Sequence, residues 1–206
     1  LFFAITILPT ISMITTAQVK ELRDKTGLSI MQCHKALEET AGDMEKAMVI
    51  LQKKSGDIAA KKGDRTLASG TVASYIHMAG KVGAIVELSC ETDFVAKNEE
   101  FQTLARDLAM QVAANDPQFL TLNDVDASAK QTASEVFATE VEGKPEELKA
   151  KILEGKLNSY FGEKTLMEQD FIKNPDMKIK DLISGAVQKF GERTEIRRFV
   201  RFSTQG

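Results

Sequence analysis

The chain has 206 residues, with 27 Lys and Arg against 30 Asp and Glu and a formal net charge of -3, so no broad electrostatic grip on nucleic acid is expected. With 43% hydrophobic and 28% charged residues but 13 Gly and 4 Pro, it reads as a packed globular protein, which excludes linker, collagen-like and low-complexity classes. The length allows one large domain or two small ones, and two cysteines, Cys33 and Cys90, make no disulfide framework, so a reducing compartment is the default.

Residues Leu1 to Ile14 are uncharged and nearly all apolar or hydroxylic. They are too short to cross a bilayer, Pro9 interrupts them, and neither a preceding basic stretch nor a small-residue cleavage site marks a secretory signal. Met13 is therefore expected to be the natural start, with residues 1–14 an extension or targeting remnant outside the working fold.

From Thr16 to Gly56 the punctuation is helical. Thr16 is placed to cap a helix through Thr26 before Gly27, Ser29 one reaching Thr40 before Gly42, and Asp43 one ending near Gly56. Apolar residues recur at helical spacing: Val19 with Leu22; Ile30, Cys33 and Leu37; Met44, Ala47, Met48 and Leu51. Residues 15–56 are thus expected to form a three-helix module. A basic, polar connector at 57–65, containing Lys61 and Lys62, joins it to the rest.

Beyond the connector the period changes to alternation. Thr71, Ala73, Tyr75 and His77 share one side of a strand and Val72, Ser74, Ile76 and Met78 the other; Ala79, Gly80 and Lys81 turn the chain, and Val82, Ala84, Val86, Leu88 and Cys90 return it. Phe101, Leu104, Ala105, Leu108 and Val112 then form the stripe of a helix able to cover that hairpin. Pro145 suits the first turn of a helix carrying Leu148, Ile152 and Leu157. Another helix contains Ile179, Leu182, Ile183, Ala186 and Phe190 and stops at Gly191. In the final run, Arg197, Phe199 and Arg201 alternate with Ile196, Arg198, Val200 and Phe202, as a last strand would. Residues 66–206 are expected to be an α+β domain, its helices gathered on an antiparallel sheet.

The chain carries no G-x-x-x-x-G-K-[ST] or G-x-G-x-x-G cradle for a nucleotide. Its two histidines, His34 and His77, stand in no H-E-x-x-H and beside no cysteine pair. No catalytic residue, metal set or cofactor is assigned, and weight moves toward a protein that acts by binding. The most informative stretch is Glu91-Thr92-Asp93-Phe94-Val95-Ala96-Lys97-Asn98-Glu99-Glu100-Phe101. One reading has Thr92 or Asn98 capping the helix, Asp93 favouring its N-terminus and Phe94 stapled onto the core. The other has an acidic residue and an aromatic presented together at a loop tip, to wedge into a partner.

These motifs bring a family resemblance with them. Leu22-Arg23, Thr26-Gly27, Met31, Cys33, Ala36-Leu37, Ala59-Ala60-Lys61-Lys62, Tyr75-Ile76-His77, Gly80-Lys81-Val82-Gly83, Cys90-Glu91-Thr92-Asp93-Phe94-Val95-Ala96, Gly143-Lys144-Pro145-Glu146, Leu166-Met167-Glu168-Gln169 and Ile196 through Phe202 occur in the order seen in the elongation factor Ts family, over nearly all the chain after Met13. The resemblance implies a ubiquitin-associated-like N-terminal module that docks on the GTPase domain of elongation factor Tu, and a dimerisation-type core that touches that domain and a second one. It implies a guanine nucleotide exchange factor without covalent chemistry, whose Thr92, Asp93, Phe94 and Val95 form the exchange loop, the Asp-Phe pair entering near the partner's magnesium and phosphate site. Arg23, Ile30 and Met31 take the docking role in the module, although Ile30 stands where the family usually has methionine and His34 where it has lysine. Ile30 and Met31 adjoin on one turn, so one of them is expected to point outward. The chain lacks room for the additional coiled-coil and C-terminal modules of longer members, so it resembles the short form. Neither nucleic acid nor membrane is an expected partner, monomer and homodimer stay open, and the location is cytoplasmic or, alternatively, an organelle matrix or stroma.

Three other readings compete. A three-helix module of this size also suits recognition of ubiquitin or nascent chains. A small α+β enzyme would gather Asp93, Glu91 and His77 into a closed pocket. Arg197, Arg198 and Arg201 form a terminal basic cluster, but strand alternation would split them between two faces.

Overall fold

A computed structural model describes residues 14–141 and 145–204. The expected extension, Ile14 apart, lies outside them, as do Gly143 and Lys144. Ile14 itself packs against the N-terminal core, so it belongs to the fold rather than to an extension.

Three capped helices open the chain: α1 (Thr16–Thr26), α2 (Ile30–Glu39) and α3 (Met44–Lys61). Thr15, one residue earlier than expected, caps α1 in a reciprocal box with Gln18, and Ser29 does the same for α2 with Gln32. Asp43 caps α3 by accepting from the Lys46 N–H at 3.0 Å. Gly27 ends α1 in the left-handed region, φ 70°. Leu22, Leu28, Cys33, Ala36, Leu37, Ala47 and Leu51 close the small core between the three helices.

Helix α3 does not stop at Gly56. It runs to Lys61, so most of the expected polar connector is helical. A mid-helix glycine costs only about 1 kcal/mol. Leu51, Ser55, Ile58 and Ala59 continue one buried or half-buried face past it, and Ser55 hydrogen-bonds to Gln188.

The hairpin pairs β1 (Ser69–His77) with β2 (Val82–Cys90), from Ser69 opposite Cys90 to His77 opposite Val82. Met78 belongs to the turn rather than to the strand: Met78, Ala79 and Gly80 all have positive φ. At Gly70 a Cβ would stand 2.5 Å from the Leu88 carbonyl oxygen, so the strands close tightly there only because the side chain is missing.

After β2 come the short helix α4 (Asp93–Ala96) and the long helix α5 (Glu99–Asn115), then α6 (Ala127–Glu140) and α7 (Glu146–Lys164). A two-strand ribbon, β3 (Asp170–Phe171) and β4 (Asn174–Lys178), precedes α8 (Ile179–Phe190) and β5 (Thr194–Ser203). Strand β5 pairs antiparallel with β2, giving the order β1-β2-β5. Helix α5 lays Phe101, Ala105, Leu108 and Val112 on the inner face against Ala84, Val86, Leu88 and Ile196, and Phe190 meets Phe101 edge to face at 5.5 Å. This is the expected α+β arrangement.

The expected alternation in β5 fails at one point. Glu87 faces Arg198 and Leu88 faces Ile196, so Arg197 is a bulge that resets the period. Arg197 and Arg198 are consequently both exposed and both reach Glu87, at 3.7 and 2.6 Å, while Arg201 turns toward the helices and pairs with Asp116 at 3.2 Å. Each terminal arginine thus has a carboxylate partner, Arg197 and Arg198 sharing the one on Glu87. Helix α7 is the one expected after Pro145; α6, which the sequence did not reveal, packs with it around a small core of Val125, Ala133 and Phe161. Among the described residues no helix is long and apolar enough to cross a membrane.

Candidate interaction site

The segment Thr92–Ala96 leaves β2 at the end of the sheet and turns at once into α4. Thr92 Oγ1 caps that turn by accepting from the Val95 N–H at 3.5 Å, and Asn98 separately caps α5 by accepting from the Glu100 N–H at 2.8 Å. Both capping roles are therefore filled, each on its own helix. The inward-facing residues are Val95 and Ala96, both buried. Phe94 points away and is 82% exposed, so it is no staple on its own core. Asp93 beside it is exposed and pairs with Lys97 at 2.6 Å; the ammonium holds the Asp93 carboxyl below its ordinary range.

The base of the loop is tied by two acidic side chains, Glu91 just after β2 and Glu192 just before β5. The Glu91 carboxylate accepts from the Arg193 backbone N–H at 2.6 Å and pairs with Arg65 at 3.1 Å. The backbone donor and then the guanidinium lower its pKa. The Glu192 carboxylate accepts from the backbone N–H groups of Glu91 and Thr92, at 3.1 and 3.0 Å, and from the Thr92 hydroxyl at 2.6 Å. Buried Cys90 adds a thiol donation to the Thr92 carbonyl at 3.2 Å. Its pKa, like that of buried Cys33, is raised mainly by desolvation, so neither cysteine is a ready thiolate.

In the N-terminal module, Arg23 near the end of α1 and Ile30 and Met31 at the start of α2 are brought close by the short link through Gly27 and Leu28. The expected outward side chain is found, but Met31 and Ile30 both point outward, 82% and 58% exposed, although Ile30 shares its spacing with the inward Cys33 and Leu37. The Leu28, Cys33 and Leu37 side chains fill the core instead. Arg23 and Ile30 line a depression of about 350 Å³ with Val19 and His34; Met31 stands outside it.

The alternative trio is not assembled. Glu91 follows the Cys90 end of the hairpin and His77 lies at the other, eight strand steps or roughly 26 Å away. Glu192, Arg193 and Arg65 were missed by sequence reasoning: Glu192 and Arg193 stand about a hundred positions from the loop and reach it through the pairing of β2 with β5, and Arg65, which precedes β1, reaches Glu91 through the pairing of β1 with β2. Also unforeseen was the apolar outer face of the sheet, where Val72, Ile76, Ile85, Val200 and Phe202 are exposed. Among the described residues no group of three or more His, Cys, Asp or Glu is placed to hold a metal ion.

A three-helix module joined to an α+β core that displays an exposed aromatic on a capped turn defines a class, and known sequences narrow that class. The family model described as Elongation factor TS matches residues 12–206. The chain is 50% identical to "Elongation factor Ts" of Thermodesulfovibrio yellowstonii, over 92% of this chain and 95% of that protein. It is 48% identical to the Carboxydothermus hydrogenoformans protein of the same name, over 92% and 88%, and 45% identical to that of Thermosipho melanesiensis, over 93% and 98%. The chain belongs to the elongation factor Ts family, and its role lies in the elongation stage of protein biosynthesis.

Proposed function

We propose that this chain is a guanine nucleotide exchange factor that binds elongation factor Tu in its GDP form, promotes GDP release by disturbing the Mg²⁺ and phosphate site, and lets GTP rebind. The observation that carries the reading is Phe94: a large apolar side chain held almost wholly in solvent on a turn that is capped, anchored and already ordered. Such a side chain loses little backbone freedom on docking, and burying it in a partner contributes about 2–3 kcal/mol. Phe94 acts as the wedge, displacing groups that support the metal; Asp93 brings a negative charge to the same place; Thr92 and Val95 hold the pair in position.

Arg23, Ile30 and Met31 supply the docking surface for the GTPase domain, with the core reaching a second domain of the same partner. No covalent step is needed. If the factor weakens GDP binding by some ratio, GDP weakens factor binding by the same ratio, so the factor prefers the empty state and incoming nucleotide expels it. This activity calls for neither cofactor, nucleic acid nor membrane, and it belongs in the cytoplasm.

The outer sheet face supports a second element of the reading, a homodimer. Among the described residues helices cover the sheet on one side only and leave Ile76, Ile85, Val200 and Phe202 bare on the other, so it can close face to face with a second copy at the ~10 Å spacing of a β-sandwich. Sedimentation of the chain beside a Phe202→Glu variant tests it: a dimer in the parent and a monomer in the variant are expected, and a monomeric parent overturns it.

The exchange reading is tested by mixing the protein with elongation factor Tu loaded with a fluorescent GDP and following release by stopped flow. Release should accelerate with factor concentration to a plateau. A flat response overturns the proposal.

A further inference from the structure

The last ladder pair between β2 and β5 is Cys90 with Thr194; beyond it the two backbones diverge and can no longer satisfy each other. The next residues on each side finish the pairing with side chains. Glu192 takes the N–H groups of both Glu91 and Thr92 on one oxygen and the Thr92 hydroxyl on the other. That hydroxyl, its O–H directed at Glu192 as a donor, presents its lone pairs to the Val95 N–H and caps α4. The carboxylate thus governs both the course of the chain into α4 and the orientation of its capping oxygen. Glu192 is in turn held from behind. The turn that carries it is stitched to the end of α3, where the Lys62 ammonium donates to the Gly191 carbonyl at 2.6 Å and the Arg193 guanidinium to the Arg65 carbonyl at 2.6 Å.

We propose that Glu192 is a positioning residue for the Phe94 wedge, setting its direction through Thr92 without touching the partner; the inference rests on the exchange reading above. Val95 and Ala96 anchor α4 from its C-terminal side, and Phe94 itself is too exposed to be aimed by its own packing. The N-terminal side of the turn is therefore fixed by the carboxylate. An acceptor-only group with two oxygens is required there, because an amide in its place would turn one donor end toward groups that are themselves donors.

The test is fluorescent-GDP release from elongation factor Tu across a range of factor concentrations, for the parent, Glu192→Ala, Phe94→Ala and the double variant, with thermal unfolding as the check on folding. Glu192→Ala should lower the plateau rate about tenfold while the half-saturating concentration stays within about twofold, the pattern of a misdirected wedge on an intact docking surface. The double variant should be no slower than Phe94→Ala alone, since a residue acting only through Phe94 has nothing left to position. Should Glu192→Ala not fold, Glu192→Gln, which keeps the volume and one acceptor oxygen, carries the same comparison. A normal plateau in the Glu192 variant beside a slow Phe94→Ala overturns the positioning role and spares the wedge. Losses that multiply in the double variant overturn it too, by placing Glu192 in some other contact. A normal plateau in Phe94→Ala removes the wedge itself, and the positioning role with it.

Discussion

The two candidate contact regions are built in opposite ways. In the N-terminal module, Arg23, Ile30 and Met31 stand on the outside of helices whose caps and core are complete without them, so the surface is broad, spread over two elements, and costs the fold nothing to alter. At the end of the sheet, one aromatic projects from a four-residue helix that exists only because a hydroxyl caps it, two small apolar residues anchor it, and a carboxylate from a distant turn holds its entrance. On the proposed exchange function, a surface of the first kind suits holding on, since helices with a complete core of their own need not rearrange to present it. A projecting group of the second kind suits differential contact, being useful only where the partner rearranges to admit it. On the proposed exchange function, the module would supply affinity and the loop rate.

Phe94→Ala should break that assignment most visibly if it is wrong. We expect the plateau rate of GDP release to fall by about one to two orders of magnitude, with unfolding temperature unchanged because an exposed side chain contributes little to stability. The half-saturating concentration should move far less than the plateau. Met31→Asp probes the other side. It should weaken partner binding about tenfold, equivalent to ~1.4 kcal/mol, and leave the plateau rate as it was, measured by titration calorimetry and stopped flow on the same preparation. If Met31→Asp lowers the plateau and spares affinity, the division of labour is reversed. Asp93→Asn should be milder, slowing the plateau about threefold: the wedge stays in place, and only its neighbouring charge, already shared with Lys97, is removed.

The same contrast explains what could be read from sequence. Caps, glycine stops and 3.6-residue stripes are local, so Ser29, Asp43, Gly27 and the stripe from Phe101 to Val112 announced their elements directly. Gly56 misled because its stop signal is weak beside the packing of α3 on α8, a tertiary contact invisible in a local window. The run after Ile196 misled because the bulge at Arg197 shifts every later side chain to the opposite face without altering the pattern of residue types. At the loop, the residues that display Phe94 were legible as a cap and an acidic-aromatic pair. The carboxylate that steadies it was not, since Glu192 has no signature until two strands bring it to Thr92.

The smallest expected effect concerns Glu91, the partner of Glu192 in tying the base of the loop. Its carboxyl is held below the ordinary glutamate value, first by the Arg193 backbone N–H and then by Arg65. A carboxylate with a depressed folded pKa contributes stability that is fully present above its unfolded pKa, near ~4.3, and is lost as pH falls through the lower folded value. Between pH 5 and 8 the tie should therefore be constant, and the loop should be equally well ordered across that range. Thermal unfolding of Glu91→Gln beside the parent checks this: the parent should be slightly more stable and by a steady margin at neutral pH, and the two curves should converge only below about pH 4. A margin that instead shrinks between pH 6 and 8 would mean that a different group titrates at the base of the loop, and that the tie there is not the carboxylate.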